Sequence, residues 1–193
     1  MTTSIGLCSL EAVKAWLSLD LTGQVEGPDD DILTSLGAAA EAATMNYTGR
    51  VFTPTSFTET YSGKGGAVLF TRQSPILSVA SIITGMRTIP ARQVPYSFGF
   101  TFDNNSILLS GSTFSPGSNN IAITYTAGFN PIPADVIQAN VQAVSYWYSQ
   151  RTNLGSLSTA GSMGGSSVHD VGPMPKMACE VLDKYRRLRT TYG

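Results

Sequence analysis

The apolar residues of this 193-residue chain change their period twice, and that switch limits the fold more than any motif does. From Asp29 to Phe52 the sequence reads DDDILTSLGAAAEAATMNYTGRVF, with Ile32, Leu33, Leu36, Ala40, Ala43 and Tyr47 recurring at steps of three or four. That spacing puts them on one face of an α-helix. Three aspartates follow Pro28, and carboxylates suit a helix start because the first backbone N–H groups there lack partners. Gly49 suits a left-handed stop. Beyond it the period falls to two: Phe57, Glu59 and Tyr61 alternate with threonines, and Ile121, Ile123 and Tyr125 alternate in the last such run. From Pro133 the longer period returns, with Ile137, Val141, Val144 and Tyr148 in one stripe. Helical ends around a β-rich middle predict an α+β chain. Residues 1–54 and 129–193 form a small bundle of about four helices, and an antiparallel sheet or small barrel is inserted at 55–128.

The remaining elements follow the same logic. Ser9 caps a first helix, with Glu11 in its first turn, Val13, Trp16 and Leu17 on its apolar face, and an end near Leu19. Strand runs are expected at Ala67–Phe70, Leu77–Thr84, Gln93–Tyr96, Phe98–Phe102 and Ile107–Leu109, with Asp103-Asn104-Asn105 as a turn. Pro133 suits the first turn of a third helix. Val136, Ala143 and Trp147 widen its stripe, so this helix sits centrally against the Asp29–Thr48 helix. It is about 28 Å long at 1.5 Å per residue. Pro175 starts a fourth helix with Met177, Val181, Leu182, Tyr185 and Leu188 on its apolar side. Arg186, Arg187 and Arg189 close it, where cations favour the helix dipole.

Two stretches suit contacts rather than a core. Gly37, Ala38 and Ala42 form a narrow flank on the Asp29–Thr48 helix, open to close approach by a helix of the same chain or of a neighbouring subunit. Residues 155–172 read GSLSTAGSMGGSSVHDVG, a flexible loop by composition that includes Gly155, Gly164, Gly165, His169 and Gly172. Ordering each residue costs about 1–2 kcal/mol. Four scattered apolar groups do not offset eighteen such costs, so the loop is mobile unless assembly contacts fix it.

Net charge is −1, but unevenly spread. Residues 1–49 carry seven acids and one base; residues 171–193 carry five bases and two acids. Two solvated helix faces account for this, and so does an acidic end of one copy meeting a basic end of another or of a partner. Only 13% of residues are charged, which is compatible with a surface covered in an assembly. Cys8 and Cys179 make neither a disulfide framework nor a metal spacing and read as buried, reduced thiols. Glu11 and Lys14 interrupt the N-terminal apolar run, so no signal peptide is expected, and no run reaches membrane-spanning length. A chain of this kind folds in a reducing cytoplasm.

Catalytic patterns are sparse. Ser62-Gly63-Lys64-Gly65-Gly66 lacks the GxxxxGK[ST] spacing and the following helix of a phosphate loop, and reads as a hairpin turn. Tyr96, Phe98, Phe100 and Phe102 share period two. Stacking on nucleic-acid bases is one reading. With no basic residue among them, a buried sheet face is the reading preferred here. The lone histidine, His169, lies in the Gly/Ser loop without a rigid partner. No metal-ligand spacing or dinucleotide fingerprint is present, so neither an enzyme nor a cofactor or metal is expected. The bases of the C-terminal end are a weak footprint for a nucleic-acid-binding module, which is the alternative reading.

The stretches LCSLEAVKAWLSL, DDDILTSLGAAAEAATMNYTGRVF, TETYSGKGGAVLFTRQSPILSVASI, ITYTAGFNPIPADVIQANVQAVSYWY and MPKMACEVLDKYRRL, in that order and spacing, resemble the head–tail connector (adaptor) proteins of tailed bacteriophages, in their long form with a β insertion. The resemblance runs over nearly the whole chain. It implies a twelve-subunit ring beneath the portal protein, at the head–tail interface of the virion, with assembly in the host cytoplasm. The ring extends the channel through which DNA passes without specific binding. The resemblance also implies a portal contact made by the C-terminal region, here Lys184, Tyr185, Arg186, Arg187, Leu188 and Arg189. A stopper or tail-completion protein docks on the far side. The long Gly/Ser loop departs from the family pattern.

Overall fold

The computed structural model describes residues 3–18, 29–85, 87–95, 97–151, 158–160, 166–168 and 174–187. The chain divides into two units: Met1–Gly49 with Ile132–Gly193, and Arg50–Pro131.

The first unit is a four-helix bundle. A short hairpin, β1 (Ser4–Ile5) paired with β2 (Cys8–Ser9), leads into α1 (Leu10–Trp16). Ser9 Oγ accepts the Ala12 N–H, the capping bond expected of it. This helix stops at Trp16, earlier than predicted, and Trp16 is 54% exposed rather than on an apolar face. Helix α2 (Asp30–Thr48) ends at Gly49, whose φ of 68° lets its N–H reach the Met45 carbonyl. Its buried face is Leu33, Gly37, Ala40, Thr44 and Thr48. That face is rotated from the predicted one: Ile32 is exposed, and Leu36, Ala43 and Tyr47 are half-buried. Helix α3 (Ala134–Gln150) is central, packing against α1, α2 and the fourth helix, α4 (Lys176–Asp183). Val136, Ala139, Val141, Ala143 and Val144 of α3 join Ile5, Leu7, Val13, Leu33, Ala178 and Leu182 in the core.

The second unit is all β. Four strands, β3 (Thr55–Gly63), β9 (Gly117–Ala127), β5 (Ile76–Thr84) and β6 (Arg87–Ile89), form one antiparallel sheet in that spatial order. Three more, β4 (Val68–Phe70), β8 (Ser106–Ser110) and β7 (Gly99–Phe102), form a second. Both sheets are open, so the alternative of a small barrel is set aside. Alternation along β9 buries Ile121, Ile123, Tyr125 and Ala127. They join Leu69, Ile76, Ile82, Ile89, Phe100, Ile107, Leu109 and, from the loop before β9, Phe114 in one cluster drawn from both sheets. Gly63 is required where β3 meets the turn before β9: a Cβ there would lie 1.9 Å from the Ser115 carbonyl oxygen.

Two local expectations fail. Of the expected Gln93–Tyr96 strand, Gln93–Pro95 is not a strand: Pro95 brings no N–H, and the Ser97 N–H and hydroxyl both donate to the Val94 carbonyl; Tyr96 lies outside the described residues. Within the Gly/Ser stretch, β10 (Ser158–Ala160) and β11 (Ser166–Val168) pair antiparallel, where a loop without strands was predicted. The strands lie close in sequence, so closing the hairpin loses little chain entropy. Gly155, Gly164, Gly165, His169 and Gly172 lie outside the described residues.

Candidate functional site

The acidic and aromatic residues of the bundle tie helix ends together. Asp29, just before α2, accepts a 2.6 Å hydrogen bond from the Tyr148 hydroxyl and pairs with Arg151 at 3.1 Å. The Arg151 guanidinium lies 3.9 Å from the centre of the Tyr148 ring. The Tyr148 bond, then the Arg151 bond, hold the Asp29 carboxyl below the usual carboxylate range. Asp30 takes both oxygens to Lys14, at 2.6 and 2.7 Å, with each side chain less than 15% exposed. One turn before the end of α2, the Thr44 hydroxyl donates to Asn140 Oδ1 in a buried contact at 3.2 Å. Two of the three clustered aspartates, Asp29 and Asp30, are thus paired with bases of the same chain.

The opposite end of the bundle carries the C-terminal segment. Helix α4 ends at Asp183, short of the Lys184–Arg189 stretch predicted to continue it. The Tyr185 and Arg186 N–H groups make tight-turn bonds to Leu182 and Asp183, and the Arg187 N–H then donates to the Thr48 carbonyl at 2.8 Å. The chain leaves the helix because the end of α2 offers that carbonyl. Tyr185 is half-buried, its hydroxyl donating to Asp135 at 2.8 and 3.1 Å. Burial, then this bond, raise its pKa. Its hydroxyl is thus engaged inside its own chain. Lys184, Arg186 and Arg187 are exposed. Leu188 and Arg189 lie outside the described residues.

The small-residue flank of α2 divides. Gly37 is buried beneath β1, where a Cβ would lie 2.6 Å from the Ile5 carbonyl oxygen. It is packed within its own chain and unavailable to a neighbouring subunit. Ala38 and Ala42 are exposed, together with Ile32, Ser35, Ala39 and Asn46 on the outer side of the helix.

The β unit holds a polar network that the sequence did not announce. Glu59 Oε2 accepts from the hydroxyls of Tyr61 and Tyr125. Those hydroxyls in turn accept the N–H groups of Arg72 and Gln73, and Arg50 donates to the Ser74 carbonyl. Desolvation, ahead of the Glu59 bond, pushes the Tyr61 pKa far up. The network pins the loop between β4 and β5. Lys64 lies in the loop between β3 and β4, which links the two sheets instead of closing the predicted hairpin, because β3 pairs with β9 and β4 with β8; there the Gly65 N–H donates to the Phe114 carbonyl. Of the period-two aromatics, Phe100 is in the core, while Phe98 is 52% and Phe102 39% exposed. The buried-face reading therefore holds for Phe100 and fails for Phe98 and Phe102, and Tyr96 lies outside the described residues.

Among the described residues, no three of His, Cys, Asp and Glu gather at one point. Cys8 is buried and its thiol is pushed up to about 11, chiefly by desolvation, while Cys179 is only half-buried. No described helix is long and apolar enough to cross a membrane.

Polar groups thus tie the helix ends together inside the bundle, while Ala38, Ala42, Lys184, Arg186 and Arg187 face outward. The chain belongs to the head completion protein family, which it matches over residues 6–188. In fold it is similar to chains of gene transfer agent (GTA) particles. One belongs to the neck of an empty GTA particle computed with C6 symmetry: 20% identity, TM-score 0.64, covering 99% of this chain and 96% of that one. A second comes from the virion of a native GTA particle: 19% identity, TM-score 0.59, covering 95% and 90%. A third belongs to the neck of a native GTA particle computed with C12 symmetry: 19% identity, TM-score 0.58, covering 99% and 96%. No curated protein matches the chain in sequence.

Proposed function

We propose that this chain is a non-enzymatic head–tail connector. Copies form a ring, of twelve subunits, in the neck of a phage-like particle. The ring sits beneath a portal protein, extends the DNA channel without specific DNA binding, and offers its far side to a stopper or tail-completion protein. The observation that carries this reading is the family match over residues 6–188. The sixfold and twelvefold necks from which similar folds come support the ring.

Side-by-side packing then uses the outer face of α2, where Ala38 and Ala42 admit a close neighbour. The portal contact uses Lys184, Arg186 and Arg187, with Leu188 and Arg189 following in sequence. Arginine suits this role because its planar fork pairs with carboxylates.

The test is retention on portal-containing capsids after nuclease treatment. The parent chain should be retained as rings visible by electron microscopy. Ala42→Phe should leave monomer stability within about 0.5 kcal/mol of the parent, because the site is exposed, yet give no rings. The pair Lys184→Glu and Arg186→Glu should abolish retention. Parental retention of both variants would overturn the reading, and nuclease release of the parent would favour a nucleic-acid-binding module.

A further inference from the structure

We propose that residues 183–187 are a latch, and that the structure has it closed over the C-terminal end of α2. The inference rests on the connector reading only for what the freed residues would meet. Three contacts, each between segments far apart in sequence, hold the latch. The Tyr47 hydroxyl donates to Asp183 Oδ1 at 2.7 Å. The Tyr185 hydroxyl donates to Asp135 Oδ1 at 2.8 Å. The Arg187 N–H donates to the Thr48 carbonyl at 2.8 Å. The Arg186 guanidinium stands 5.6 Å from the centre of the Tyr47 ring and adds a cation–π contact.

Helix α2 has a use for this segment. Its last turn holds no basic residue, and its terminal carbonyls carry partial negative charge. The latch supplies from another part of the chain both the missing N–H donor, from Arg187, and a cation, the Arg186 guanidinium. Arg186 and Arg187 therefore have an internal partner. A carboxylate-bearing surface that takes the Arg186 guanidinium competes with the end of α2 for it.

The segment is built to open without unfolding the bundle. Lys184, Arg186 and Arg187 are exposed, and α4 keeps Ala178 and Leu182 in the core on the near side of the latch. Opening loses a few hydrogen bonds and little apolar burial, which places it among local rather than global transitions.

Trypsin reads the latch directly, since it cuts after Lys184, Arg186 and Arg187. The full-length parent, Tyr47→Phe, Tyr185→Phe and the double variant are digested under native conditions, and cuts at the three sites are resolved by mass spectrometry. Each phenylalanine keeps its ring and loses only the hydroxyl. Cleavage tracks the open fraction when opening is fast, so the double variant should be cut at these sites at least about tenfold faster than the parent. Cuts elsewhere in the bundle and the thermal midpoint should stay near parental. A parent cut as fast as the double variant would overturn the latch, and so would acceleration spread evenly over the whole chain. Ring formation does not enter this readout, so a failed latch leaves the connector reading standing, and a failed connector reading leaves the latch measurable.

Discussion

The two units of this protein fix their internal registers in opposite ways. In the β unit, backbone ladders set the pairing, and twelve buried residues, eleven from the two sheets and Phe114 from the loop before β9, fill one apolar cluster. Slipping a strand by one residue would turn its whole buried row outward, so alternation alone specifies the register. In the helical unit, the faces that meet are rich in alanine, glycine and threonine. Such faces slide past one another at small cost. There the register comes from polar pairs at defined heights: Asp29 with Tyr148 and Arg151 at one end of α2, Thr44 with Asn140 one turn before the other end, and Tyr47 with Asp183 at that end. Small-residue helices gain close approach and give up the interlocking that large side chains provide, and directional bonds replace it.

Phe114→Ala is the strongest test of this contrast. The ring is 2% exposed, and removing it should cost the β unit about 3–5 kcal/mol by lost transfer energy and a residual cavity. Denaturant unfolding followed separately in each unit should show the loss in the β unit. An equal loss in the helical unit would mean that the two do not specify themselves independently.

Lys14→Ala comes next. It leaves Asp30 without its bidentate partner in a site less than 15% exposed and should cost about 1–3 kcal/mol. A change within experimental error would show that this tie adds little to the packing of α1 on α2.

The smallest expected effect is a slight loss near neutral pH together with a change of slope in acid. The Asp29 carboxyl titrates lower in the folded chain than when unfolded, because of Tyr148 and Arg151. Its contribution is therefore present above the ordinary aspartate range and lost as pH falls through the lowered folded value. Asp29→Asn should lower stability slightly near neutral pH and flatten the acid limb, so that the variant and parental curves converge as pH falls. An unaltered acid limb would remove Asp29 from the pins.

What the sequence made legible follows the same divide. Helix α2 was found almost to the residue because Asp30, Asp31 and Gly49 mark its ends locally. Strands β3 and β9 were found because alternation is a local signal. The buried face of α2 was misread, since alanine and threonine at every third or fourth place leave its angle undecided. Thr44 turns inward only because Asn140, 96 residues away, offers Oδ1. The early end of α4 depends in the same way on the Thr48 carbonyl. For the candidate site, charge asymmetry pointed to the C-terminal bases, but the bond from Tyr185 to Asp135, 50 residues earlier, leaves no trace in the local pattern.

The way the chain enters and leaves the β unit has its own consequence. Phe52 and Phe129 stack with centroids 5.3 Å apart, the Phe129 N–H donates to the Phe52 carbonyl at 2.8 Å, and Thr55 pairs with Ala127. The strand leaving thus runs beside the strand arriving, and the two ends of an eighty-residue excursion come within one hydrogen bond of each other. Such a loop is an excisable cassette. A connector of a few residues spans the same gap, so the module can be shortened, exchanged or lost in descent while the rest of the chain keeps its path.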